Sequence, residues 1–122
     1  MNEEKILFFI DSRGKSPVYE YISELGRKTD KSSRIKYNKI NEYMIILAGI
    51  GFSAGEPFIK YIEDDIWELR PLSDRIFFAG WEDNKFILLH NIIKKTQKTP
   101  RHEIKTAKRR LEEARKEPEI YE

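Results

Sequence analysis

Two hydrophobic rhythms follow one another along the chain, and the point where the rhythm changes divides it. An unbroken apolar run, KILFFI from Lys5 to Ile10, gives way to DSRGKSP, which reads as a short buried strand followed by a loop. Ser16 and Pro17 then supply a cap and a first helical residue. Val18, Tyr21, Ile22 and Leu25 follow at three- and four-residue steps, which predicts a short amphipathic helix ending near Gly26 or just after. A longer helix is predicted from Asp30, with Ile40, Tyr43, Met44 and Leu47 on one stripe and a stop by Gly51. Stripes of this kind are core positions before they are anything else.

Beyond FSAGEP the period shortens to two. FIKYI and IWELRPL are separated by the turn-like EDD, and RIFFAGW and KFILLHNII by EDN. All four runs are rich in the β-branched and aromatic residues that suit strands, so three or four antiparallel strands in a meander are expected. Thr99 before Pro100 repeats the cap-then-proline signal. Ile104, Ala107, Leu111 and Ala114 then stripe a last helix that Pro118 stops. The order is strand, two helices, strand meander and C-terminal helix, an α+β class with helices packed on a sheet. With 122 residues, 39% of them hydrophobic, and no internal repeat or linker, residues 1–122 are expected to form one domain.

Composition narrows the chemistry. The chain has no cysteine and two histidines, which removes disulfides, thiolate nucleophiles and cysteine-bound zinc, and leaves little for a histidine metal site; no metal or other cofactor is expected. The longest apolar run, YMIILAGIGF, is well short of the roughly 18–20 residues that cross a bilayer. MNEEKILFFIDS lacks the basic start and cleavage site of a secretory signal, so a cytoplasmic protein that makes no membrane contact is expected.

Net charge is only +2, but it is unevenly spread. Between Lys94 and Lys116 ten lysines and arginines face three glutamates, a local +7 against −5 for the rest of the chain. Such a cationic end suits a phosphate-bearing or acidic partner, and equally suits a solvated basic helix.

Alternation in IWELRPL puts Trp67 and Leu69 on one face and Ile66, Glu68 and Arg70 on the other. If the first face meets the helices, Glu68 and Arg70 stand on the open face. Arg75 opens the next strand across PLSD, close to Arg70. The two arginines form either a phosphate clamp or a simple pair with Glu68 across the hairpin. KFILLHNII is apolar on both faces, with Phe86, Leu88, His90, Ile92 and Lys94 on one side and Ile87, Leu89, Asn91, Ile93 and Lys95 on the other. It should therefore be a central strand, delivering one of Lys94 and Lys95 beside the arginines. His90 is either a hydrogen-bonded core residue or a catalytic one. Thr96, Gln97, Lys98 and Arg101, at the entry to the last helix, can touch a sugar-phosphate backbone or be solvated, with Thr99 serving as the cap. His102 is expected at the surface.

WELRPL, then an Arg-led aromatic strand, then ILLH, KKTQKTP and an EI..A..R helix form an ordered set across the C-terminal half. This set resembles the phage-derived host-inhibition toxins of the HigB type, within the RelE/ParE superfamily. The resemblance implies the RelE-like toxin fold: an antiparallel sheet with two N-terminal helices against it and a C-terminal helix at its edge. It also implies a metal-independent endoribonuclease that cuts mRNA in the ribosomal A site. The expected partner is a HigA-type helix-turn-helix antitoxin, joined with the toxin in a hetero-oligomer. By motif, Arg70, Arg75 and the Lys94–Lys95 pair match positions lining the family's active cleft, with His90 and Glu68 as secondary catalytic candidates. Relatives of the ParE type poison gyrase on the same scaffold. A protein-binding inhibitor of gyrase or another host factor, or an inactive relative that only binds its antitoxin, therefore stands as the alternative.

Overall fold

A computed structural model describes residues 5–122; the first four, part of the stretch read for a secretory signal, lie outside the described residues. The elements are β1 (Ile6–Phe8), α1 (Pro17–Arg27), α2 (Lys31–Ile50), β2 (Ile59–Glu63), β3 (Ile66–Leu69), β4 (Asp74–Trp81), β5 (Lys85–Ile93) and α3 (Arg101–Lys116). Short 3-10 turns follow α2, β4 and α3. The five strands form one sheet in the order β1-β5-β4-β3-β2, so the α+β architecture read from the sequence is the observed one.

The meander from β2 to β5 is antiparallel, but β1 joins it parallel to β5, with Ile6 opposite Phe86 and Phe8 opposite Leu88. The sheet is thus mixed: the crossover of α1 and α2 carries the chain to the far edge, where β2 runs against β1, and the alternation of the meander then brings β5 in parallel to β1. β4 is the middle strand and β5 lies beside it, both internal.

Apolar side chains cover both faces. Val18, Ile22, Leu25, Ile40 and Leu47 from α1 and α2 pack on Leu69, Ile76, Phe78 and Leu88. Ile104, Ala107, Leu111 and Ala114 of α3 pack on Ile66, Phe77, Ala79, Ile87 and Leu89. Every apolar position named for the last helix is buried, and fully burying each large one contributes about 1.5–3 kcal/mol. α1 and α2 approach closely at Gly26, where a Cβ would lie 2.7 Å from the Tyr37 ring. Gly51 caps α2 at a φ of 57°, a left-handed conformation glycine adopts without strain.

Two helix starts differ from the sequence reading. Asp30 caps α2, its carboxylate accepting from the Ser33 amide at 3.0 Å. Ser16 stands at the α1 cap position, but its hydroxyl donates to the Phe9 carbonyl at 2.8 Å and ties the helix to β1 instead. Thr99 is not the cap of α3: that place falls to Pro100, whose fixed φ near −60° leads the chain into the helix at Arg101.

The largest departure lies in β5. Phe77 of β4 faces His90 while Phe78 faces Leu88, so Leu89 is an extra residue, a β-bulge. Strict alternation fails there. Leu89 and His90 both turn toward α3, Ile92 packs on that side too, and Ile93 turns toward α2.

The acidic turn between β2 and β3 grips α3. Glu63 pairs with Arg101 and Lys108, Asp64 with Lys108 at 2.7 Å, and Asp65 with Arg115 at 2.9 Å. Much of the cationic character of the last helix is therefore met within the fold. The guanidinium of Arg101, then the ammonium of Lys108, hold the Glu63 carboxyl down to about 2 from its ordinary 4.5. A carboxylate with a depressed folded-state pKa stabilises above the unfolded value, and that contribution fades as pH falls from about 4.5 toward 2. Acid titration followed by hydrogen exchange is expected to loosen α3 in this window, and Glu63→Gln to remove that part of the pH dependence.

A cationic cavity at the ends of β3, β4 and β5

Arg70, Arg75, Lys94 and Lys95 converge. Together with Leu72, Ser73, Thr96 and Gln97 they line one cavity of about 570 Å³, within the roughly 300–1,000 Å³ of small-molecule sites. The sheet arranges this at its end. Arg70 follows the end of β3, Arg75 is the second residue of β4, and β5 stops at Ile93, so the two lysines that follow are freed from alternation and both reach the cavity. The Lys94 amide donates to the Ser73 carbonyl at 2.8 Å, fixing the β3–β4 loop against the end of β5.

Glu68 is not on an open face. It is 1% exposed, lying beneath the two arginines with Oε1 3.4 Å from Arg70 Nε and 3.8 Å from Arg75 Nε. Of the two arrangements weighed in the sequence the pair is the one seen: a buried carboxylate lies against both guanidinium groups at the cavity wall. Arg75 is anchored further, one Nη1 donating to the carbonyls of Leu72 at 2.7 Å and Asp74 at 2.8 Å. Arg70 Nη1 reaches Glu56 at 3.4 Å. Burial pushes the Arg75 guanidinium below its ordinary value, Glu68 opposes that and Arg70 adds to it. It remains charged at any relevant pH. Glu68 Oε2, Arg70 Nε and Arg75 Nε are buried with no hydrogen-bond partner among the described residues, the two Nε groups standing at ion-pair distance from the carboxylate.

Three other sequence candidates stand apart from the cavity. His90 is turned by the bulge to the α3 side, where Nε2 lies 2.7 Å from Glu103 Oε1 and Nδ1 lies 3.2 Å from Arg110 Nη1. Its ring stacks on Phe77. An arginine donor at Nδ1 leaves the proton on Nε2, the neutral tautomer donating to Glu103. Burial pushes the His90 pKa below 6.5, more than Glu103 raises it. Neutral His90 therefore favours the fold above the unfolded value, and this support is lost as pH falls below about 6.5. Proton NMR of the His90 ring is expected to show a midpoint below 6.5. Arg101 points to Glu63, and Lys98 offers its carbonyl to the Thr96 hydroxyl at 2.9 Å. His102 is exposed, as expected.

Asp74 was missed. It is fully buried at the start of β4, accepting from the Tyr21 hydroxyl at 2.6 Å with Lys36 Nζ 3.6 Å away. Burial, then Asp74, raises the Tyr21 pKa. The residue locks α1 and α2 to the strand that carries Arg75. Alternation held the signal: Asp74 is in phase with Ile76 and Phe78, and a carboxylate on a core face needs partners.

A family model for phage derived protein Gp49-like (DUF891) matches residues 27–112, more than half of the chain, and spans every residue lining the cavity. The chain belongs to this Gp49-like family. It is a family of toxin-like proteins, and the matched segment runs from the end of α1 into α3. No curated protein matches the Gp49-like chain. Among its described residues no group of three or more histidine and carboxylate side chains is placed to hold a metal ion, and no helix is long and apolar enough to cross a membrane.

Proposed function

We propose that this Gp49-like chain is the HigB-type toxin of a type II toxin–antitoxin pair, an endoribonuclease that cuts mRNA in the ribosomal A site. The observation that carries the reading is the convergence of Arg70, Arg75, Lys94 and Lys95 on one cavity. A docking-helix inhibitor would rely on the cations of α3, of which Arg101, Lys108 and Arg115 are engaged by the β2–β3 turn while Lys105 and Lys116 have no ion pair among the described residues.

In this mechanism the ribose 2′-hydroxyl attacks the adjacent phosphorus, the bond to the 5′-oxygen breaks, and negative charge gathers on the non-bridging oxygens. Arg70 and Arg75 hold that charge, oriented from below by Glu68. As the 2′-oxygen bonds to phosphorus its proton passes to solvent water, and Lys94 or Lys95 donates a proton to the leaving 5′-oxygen and is reprotonated from solvent. His90 and Glu68 do not touch the RNA: one is bonded to Glu103 and Arg110, the other is sealed beneath the arginines. Thr96 and Gln97 contact the sugar-phosphate backbone at the rim. A HigA-type helix-turn-helix antitoxin silences the toxin as a hetero-oligomer in the cytoplasm.

The purified chain, given mRNA with and without programmed ribosomes, is expected to produce fragments only when ribosomes are present. Intact mRNA in both reactions, from a preparation that arrests growth on expression, overturns the assignment.

A further inference from the structure

A second hollow of about 590 Å³ lies across the β3–β4 loop from the cationic cavity, lined by Lys31, Ser32, Ile35 and Lys36 of α2 with Leu72, Ser73 and Ile93. We propose that it seats a nucleobase adjoining the phosphate held in the cavity, an inference that rests on the RNA-cleaving reading above.

Three observations favour this occupant. The hollow and the cavity share Leu72 and Ser73, so a strand whose phosphate meets Arg70 and Arg75 has this hollow as its neighbour over the rim. Its walls are aliphatic and come from three separate elements: Ile35 is 48% exposed, Leu72 49% and Ile93 46%. Exposed aliphatic side chains gathered in one place mark a surface built to be covered, and an unstacked base can be held between apolar side chains with its edge read by hydrogen bonds, a part open to Ser32 and Ser73. Lys31 at the mouth has no ion pair among the described residues, which adds a cation for the backbone on either side of the base.

The rim itself is strained. Leu72 has a φ of 56°, a left-handed conformation that a branched residue rarely adopts, and its carbonyl is held by Arg75 Nη1 at 2.7 Å. The guanidinium assigned to the phosphate therefore also sets the side chain that divides the two hollows. Phosphate binding and base seating are coupled through one residue. The β5 bulge is the other requirement, since without it Ile93 would face α3.

The test maps RNA 5′ ends across the transcriptome after brief induction of the wild type, Ile35→Gln and Leu72→Gly. Gln keeps the helix propensity of α2, and glycine relaxes the left-handed φ, so both variants retain the fold by thermal denaturation. The wild type is expected to cut with a bias for one base beside the broken bond. Each variant is expected to flatten that bias, with about tenfold fewer ends at the favoured base, the low end for a changed apolar pocket. Unchanged positions and frequencies in both variants overturn the base seat and leave the nuclease reading intact. Variants that cut like the wild type but escape a co-expressed antitoxin mark the hollow as a protein dock, which also overturns the seat. A wild type that yields no new ends overturns the nuclease reading, and the seat with it.

Discussion

Arg75→Ala is expected to slow mRNA cleavage on programmed ribosomes by about two to three orders of magnitude, the usual loss when one preorganised donor to a developing anion is removed. The residue supplies charge at the cavity wall, and its Nη1 also fixes the Leu72 and Asp74 carbonyls. Two contributions are therefore lost together, and their magnitudes separate them. The two backbone contacts are worth about 1.5–3 kcal/mol each as charge-assisted hydrogen bonds, a stability change that denaturation reads directly. Arg75→Lys keeps the positive charge but not the planar fork, and should recover part of the rate at most. Single-turnover cleavage by variants shown to be folded is the measurement; an Arg75→Ala protein as fast as the wild type would remove Arg75 from the mechanism.

Glu68→Gln should cost about 3 kcal/mol of stability, the low end for breaking a buried ion pair because both arginines still reach solvent. The glutamine preserves shape and removes the one negative charge between two guanidinium groups, leaving them to repel each other. An anion can take over that duty. Inorganic phosphate is therefore expected to raise the urea midpoint of Glu68→Gln more than that of the wild type, by mass action on the folded state. Equal effects of phosphate on the two proteins would mean that Arg70 and Arg75 do not bind an anion together.

Much of the cavity was legible because it depends on chain order. Arg70 and Arg75 flank a tight connection, and the lysines follow the end of an apolar strand, so any antiparallel pairing of these runs brings them to one end of the sheet. Glu68 was legible as a partner but not as a buried one: alternation gives its face, whereas its burial depends on how the arginines fold over it. The pairing of EDD with Arg101, Lys108 and Arg115 was not legible, since it joins residues far apart in sequence through a helix whose placement periodicity does not specify.

The chain's own pattern determined the element order, the apolar stripes and the gathering of four cations, since periods of two and 3.6 and turn chemistry are local properties. Tertiary structure alone decided which side of the sheet each late β5 residue serves. The extra residue at Leu89 shifts the phase by one, so His90 leaves the cavity for Glu103 and Arg110 while Ile93 turns to α2. A bulge is settled by pairing with a neighbouring strand, and that pairing does not exist until the sheet has formed.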